Sequence, residues 1–307
     1  MTQTPTYFLT LVANRAATSL TAAHWALAQE MVKSTTVIPL SEGEAVDIPC
    51  TLPVEEDFSL FLAEEAPFNR LRQTLAQQDI DLFLTSAKAR QKALLIADMD
   101  STIVSSETLD DLAFEAHKGK EIAAITALSM NGKIDFVQSV EKRVGLLKGV
   151  SSHLLETTWQ NHIRLNEGAQ TLVATMRAHN AYTALISGGF TWFTERVAAL
   201  CGFDTHRANI LGIKNGQLDG TVQHPILDRS AKRTLLGELS VERGLTLTAC
   251  TCIGDGANDL AMLKECGLGV GFKAKPIIKE AILNQIEKTS LLSLLFMQGY
   301  PRAEFVQ

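Results

Sequence analysis

Leu94-Leu95-Ile96-Ala97-Asp98-Met99-Asp100-Ser101-Thr102 decides how this chain is read, because an apolar run ends there in two carboxylates one residue apart. A short apolar run bounded by acidic and small polar residues predicts a buried strand of a parallel sheet. Ligands of open α/β sheets bind beyond the carboxyl ends of such strands, so Asp98 and Asp100 fall where chemistry is expected. Residues i and i+2 of a strand point the same way, and two like-facing carboxylates repel unless a cation or a proton intervenes. One can then serve as nucleophile and metal ligand while the other carries a proton for a leaving group. An exposed acidic loop is the alternative for a lone Asp-x-Asp.

Downstream of this strand the pattern turns helical over 107–117, 120–130, 136–147 and 151–160, with no strand before 181–186. Such a block reads as a helical cap inserted at about 105–165. Strand and helix then alternate: helix 168–179, strand 181–186, helix 191–200, helix 230–243, strand 247–253, helix 257–265 and strand 268–272. A hairpin, 210–214 and 217–222, interrupts them, and its Asn215-Gly216 suits a type I′ turn. Repeated βα units imply a doubly wound, mostly parallel Rossmann-like sheet over 86–307.

Upstream, residues 1–85 read as strand 7–12, helix 21–32, extended segments 36–40 and 45–50, helix 67–77 and strand 80–85. The order βαββαβ is that of a ferredoxin-like α+β module. The polar stretch 86–92 is the expected linker.

The 307 residues are many for one core, which favours two domains or one with a large insertion. A formal charge of −6 argues against nucleic-acid binding, so an anionic substrate would need a local cluster of positive charge. Five scattered cysteines lack metal or disulfide spacing, which leads us to expect a reducing, cytoplasmic setting. Neither a signal peptide nor a membrane span is expected. His117, His153, His179 and His206 read as helix or loop residues without ligand spacing.

Three later signals concern chemistry. Ser187-Gly188-Gly189 stands between a strand and a helix, where a hydroxyl and two unhindered amides form an anion cradle, although by itself such a segment more often makes an ordinary turn. Lys232 opens a helix for which Ser230 is the expected N-cap; by itself it reads as a surface lysine. Cys252-Ile253-Gly254-Asp255-Gly256-Ala257-Asn258-Asp259 joins strand to helix through an acidic loop whose oxygen ligands suit Mg²⁺.

Taken in order, these four segments resemble the motifs of the haloacid dehalogenase-like phosphohydrolases. The resemblance runs from about Ala93 to the last helix. It implies Asp98 as nucleophile, Asp100 as general acid and base, and Thr102 in support. It further implies Mg²⁺ on Asp98, Asp255 and the Asp100 carbonyl, with Asn258 and Asp259 supporting. Ser187, Gly188, Gly189 and Lys232 would hold the phosphoryl group. The string from Asp98 to Ala113, with Met130–Phe136 and Val140–Val144 in the cap, resembles the phosphoserine-hydrolysing branch of that family. That resemblance assigns Glu107 to a substrate ammonium, Arg143 to its carboxylate, and Met130 and Phe136 to the pocket wall. It implies a small-molecule substrate, phosphoserine, whose hydrolysis yields serine, the last step of serine biosynthesis. Another small phosphomonoester, or transfer to homoserine, is the alternative. Residues 1–85 resemble ACT-like modules, which implies amino-acid sensing, a structural role, or a surface for homodimer formation.

Overall fold

The computed structural model describes residues 6–51, 59–130, 133–228 and 230–307. Its N-terminal part contains β1 (Tyr7–Ala13), α1 (Ala22–Val32), β2 (Ile38–Ser41), β3 (Ala45–Cys50), α2 (Ser59–Leu62), α3 (Pro67–Ala76) and β4 (Ile80–Ser86). The strands form an antiparallel sheet in the order β2-β3-β1-β4. Alternation along a strand sends successive side chains to opposite faces. Leu9, Leu11, Leu82 and Leu84 thus pack with Ala28 and Leu75 of the helices, whereas Val12 and Phe83 join the core of the larger domain. Both faces of β4 are covered, which is why it is buried from Ile80 to Thr85.

The stretch 86–92, expected as a free linker, is pinned. Arg90 grips Asp47 of β3 at 2.6 Å and donates to the Met297 carbonyl, and the Lys92 amide donates to Gln298. Its polar residues are partners for distant groups, which sequence spacing does not reveal.

Six parallel strands make the main sheet: β5 (Leu94–Ala97), β6 (Tyr182–Phe190), β7 (Thr205–Asn209), β10 (Cys250–Gly254), β11 (Leu268–Phe272) and β12 (Asn284–Ile286). Their order is β12-β11-β10-β5-β6-β7, so chain order reverses direction beside β5. All four residues of β5 are fully buried, each large apolar side chain contributing about 1.5–3 kcal/mol. Helices α8 (Ala169–Ala178), α9 (Thr191–Cys201), α10 (Ala231–Glu242), α11 (Leu260–Glu265), α12 (Pro276–Lys279) and α13 (Ser293–Met297) complete this domain. Strand β7, which carries His206, escaped the sequence reading because its Thr-His-Arg-Ala-Asn is polar, as an edge strand can be.

Between β5 and α8 stand α4 (Thr108–Glu115), α5 (Gly119–Met130), α6 (Phe136–Gly145) and α7 (His153–His162). The two connections to this block pair with each other: Ser105 N–H donates to the Arg164 carbonyl and Asn166 N–H to that of Ile103. The hairpin of β8 (Leu211–Lys214) and β9 (Gln217–Val222) turns at Asn215 and Gly216, both with positive φ as a type I′ turn requires. It bonds through Leu218 to Gly149 and Val150, so it extends the cap rather than the sheet.

Candidate active site

Parallel register places Ala97 of β5 level with Ile253 of β10 and Leu185 of β6. Asp98, Asp255 and Ser187 therefore leave neighbouring strand ends together. Carboxylate oxygens of Asp98, Asp255 and Asp259 lie within 4.8 Å of one another. All three residues are buried. Lys232 Nζ donates to Asp98 and, at 2.6 Å, to Asp259. Burial pushes the Asp98 carboxyl well above the usual carboxylate range; Asp259 adds to the rise and Lys232 opposes it. Burial works against the Lys232 ammonium, but Asp259 and Asp98 outweigh it and hold the lysine charged. The three carboxyl groups face the Lys232 and Lys275 ammoniums, and hard oxygen donors gathered in this way fit a divalent cation such as Mg²⁺.

The loop after β10 owes its shape to Asp259, whose Oδ2 accepts the Asp255 and Gly256 amides at 3.2 and 3.1 Å. A Cβ on Gly254 would strike that carboxylate. The helix expected from Ala257 consequently starts only at Leu260. The cap of α10 is also corrected: the Ser230 side chain makes no capping bond, and Asp228 Oδ1 accepts the Ser230 and Ala231 amides instead.

Asp100 turns away from the acidic cluster. Its Oδ1 accepts the Thr108 amide at 2.8 Å, and its Oδ2 the Ser187 hydroxyl at 3.0 Å. Burial raises its carboxyl above the ordinary range, and these donors only partly offset the rise. Ser187-Gly188-Gly189 lie in β6 itself, ahead of the helix, where the pairing with β7 slips between Ile186 and Phe190. The expected helix entrance is thus replaced by an irregular strand end. A Cβ on Gly189 would sit 3.1 Å from Asp100 Oδ2 and 3.0 Å from Ser187 Oγ, so a larger residue there would press on both groups.

A cavity of about 180 Å³ opens above these groups. Its lining includes Asp98, Asp100, Ser187, Gly188, Gly189, Asp255 and Asn258 from the sheet side, and Glu107, Phe136 and Arg143 from the cap. Burial lowers the Arg143 guanidinium, opposed by Asp110 and Glu107. Burial raises Glu107, with Asp100 adding to it. Thr102 is fully buried outside the lining, its carbonyl accepting Asn166 Nδ2 at 2.8 Å. Met130 ends α5, and its side chain lies outside the described residues.

Two polar lining residues, Thr108 and Lys275, were missed by the sequence reading. Thr108 contributes a backbone amide, which any residue type supplies. Lys275 reaches in from the turn after β11, where Lys273-Ala274-Lys275-Pro276 gave only the position of a strand end as a signal.

A model of the haloacid dehalogenase-like hydrolase family matches residues 95–264. The chain belongs to this family. Among relatives of this hydrolase, a phosphoserine phosphatase of Archaeoglobus fulgidus is 37% identical over 238 residues, covering 77% of this chain and 69% of that one. A solved haloacid dehalogenase family hydrolase from Salmonella enterica serovar Typhi superposes with a TM-score of 0.82 at 26% identity, covering 95% of this chain and 97% of the other. A phospho-aspartyl intermediate analogue of a phosphoserine phosphatase superposes at 0.62 with 37% identity, over 67% of this chain and 98% of that one.

Proposed function

We propose that this hydrolase converts O-phospho-L-serine to L-serine and phosphate through an aspartyl-phosphate on Asp98, with Mg²⁺ as cofactor. One observation carries the substrate class: the cavity over Asp98 and Asp100 also holds a guanidinium, Arg143, and a carboxylate, Glu107, on its cap side. Arg143 suits the substrate carboxylate through its planar fork, and Glu107 suits the ammonium. Relatives named phosphoserine phosphatase at 37% identity support the same reading.

Ser187, Gly188, Gly189 and Lys232 bind the phosphoryl group and offset its charge. Asp98 attacks phosphorus, and the ester P–O bond breaks. Asp100, whose carboxyl burial raises above its ordinary range, donates a proton to the leaving serine oxygen. It then takes a proton from the water that hydrolyses the acyl phosphate. When bound by Asp98, Asp255 and the Asp100 carbonyl, with Asp259 and Asn258 in support, Mg²⁺ supplies positive charge that lessens repulsion between the nucleophile and the phosphoryl oxygens. Thr102 braces the turn after Asp98, and Phe136 walls the pocket.

The domain reading belongs to the same proposal: residues 1–85 form a ferredoxin-like, ACT-like module, and 86–307 the phosphatase with its cap at about 105–165. Pairing of two copies through the module, measured as mass by light scattering, and a cytoplasmic setting extend it. Phosphate release from a panel of phosphomonoesters, with Mg²⁺ and with chelator, tests the activity. Phosphoserine should be hydrolysed fastest and only with the metal. Equal rates across small monoesters overturn the substrate assignment.

A further inference from the structure

Lys275 is the cation on the cavity wall to which the mechanism gives no task. Its Nζ lies 2.9 Å from Asp255 Oδ2 and 3.7 Å from Glu107 Oε1. It is the ion-pair partner of Glu107 among the described residues. The Glu107 carboxylate is otherwise held by the Ser101 hydroxyl at 2.9 Å.

The base of Lys275 is fixed, whereas its side chain stands half exposed. Its amide donates to the Asp255 carbonyl at 2.9 Å, and Pro276 restricts it to extended backbone, φ −66° and ψ 156°. The side chain is 57% exposed on a stem of four rotatable carbons. The ammonium thus stands between a core carboxylate and a cap carboxylate, in the place a second ammonium would need.

We infer that Lys275 is a specificity-determining residue: it countercharges Glu107 in the resting site and must yield when a substrate ammonium arrives. This rests on the reading of Glu107 as the ammonium site. Two like charges at one carboxylate repel, so the lysine weakens the preference for aminated substrates. Its attraction for phosphate and carboxylate groups is shared by every phosphorylated hydroxy acid and cancels in a comparison of two of them.

The test compares phosphoserine with its deamino analogue, 3-phosphooxypropanoate, which keeps the phosphate and the carboxylate. In Lys275→Met, of equal reach and no charge, the ratio of the two kcat/KM values should rise about two- to fivefold, the range an exposed ion pair can move an equilibrium. The gain should fall in KM for phosphoserine rather than in kcat, and L-serine binding measured by calorimetry should tighten in step. Lys275→Arg should keep the wild-type ratio. Glu107→Gln should lower the ratio, and the rise on adding Lys275→Met should be smaller in that background than in the wild type. An unchanged or lowered ratio in Lys275→Met, while Glu107→Gln lowers it, overturns this inference alone. A wild-type ratio in Glu107→Gln overturns the ammonium site and this inference with it, leaving phosphoserine hydrolysis itself to the substrate panel.

Discussion

Asp98 and Asp100 are two residues apart, yet their surroundings differ. Asp98 faces Lys232 and the acidic cluster, whereas Asp100 is gripped by a cap amide and the Ser187 hydroxyl. Asp98→Asn should fold and lose turnover, because an amide cannot attack phosphorus; near-normal phosphate release by the pure variant would exclude Asp98 as nucleophile. Asp100→Asn should lose most activity on phosphoserine but less on an aryl phosphate, whose leaving group needs little protonation. Equal losses on both substrates would remove the general-acid role. Arg143→Ala should cost roughly 2–5 kcal/mol in phosphoserine recognition, the scale for stripping one partner from a desolvated charge pair. A minimal ester without carboxylate should be almost unaffected, and an unchanged efficiency ratio between the two esters would count against Arg143. That these side chains gather at one cavity was legible in the sequence, Asp98 and Asp100 from their place at a strand end and Arg143 from the resemblance of its string. Thr108 acts through its backbone, and Lys275 through a place in space, so neither could be read from residue type.

At the scale of elements, strands were easier to find than helix starts. Apolar runs mark β5, β6 and β11 directly, since burial on both faces demands them. The starts of α10 and α11 depend instead on single carboxylates. Asp228 accepts the first amides of α10, and Asp259 folds the loop that delays α11. Composition does not say which of several polar residues will do this, so Ser230 was chosen in place of Asp228. Asp228→Ala should lower stability by about 0.5–2 kcal/mol, the usual cost of losing a cap, measured by denaturant unfolding. Because α10 carries Lys232 in its first turn, KM should rise as well. Ser230→Ala should do much less, and a larger loss for Ser230 than for Asp228 would reverse the assignment of the cap.

For the whole molecule, all four motifs follow Ala93, and from sequence alone the first 85 residues seem dispensable to chemistry. The contacts argue that they are not dispensable to folding. The Asn284 side chain of β12 pairs with Leu84 of β4 as a backbone would, accepting its amide at 2.9 Å and donating to its carbonyl at 3.1 Å. Asp81 accepts the amides of Glu287, Lys288 and Thr289, and Arg72 donates to the Leu283 carbonyl. Leu283 packs in the module's core, while Val12, Leu40 and Phe83 of the module pack in the core that includes Phe296 and Met297. Cutting at residue 85 would bare that apolar surface and leave the Asn284 amide without its partners. The two parts should therefore unfold in one calorimetric transition, and a fragment lacking 1–85 should aggregate rather than remain a soluble phosphatase. Asn284→Leu tests this without truncation: it strands a buried amide and a buried carbonyl, at about 1–3 kcal/mol each. It should lower the melting temperature of the whole chain as one unit. Two separate transitions in that variant, with phosphate release lost only at the upper one, would mean that the module folds apart from the catalytic domain.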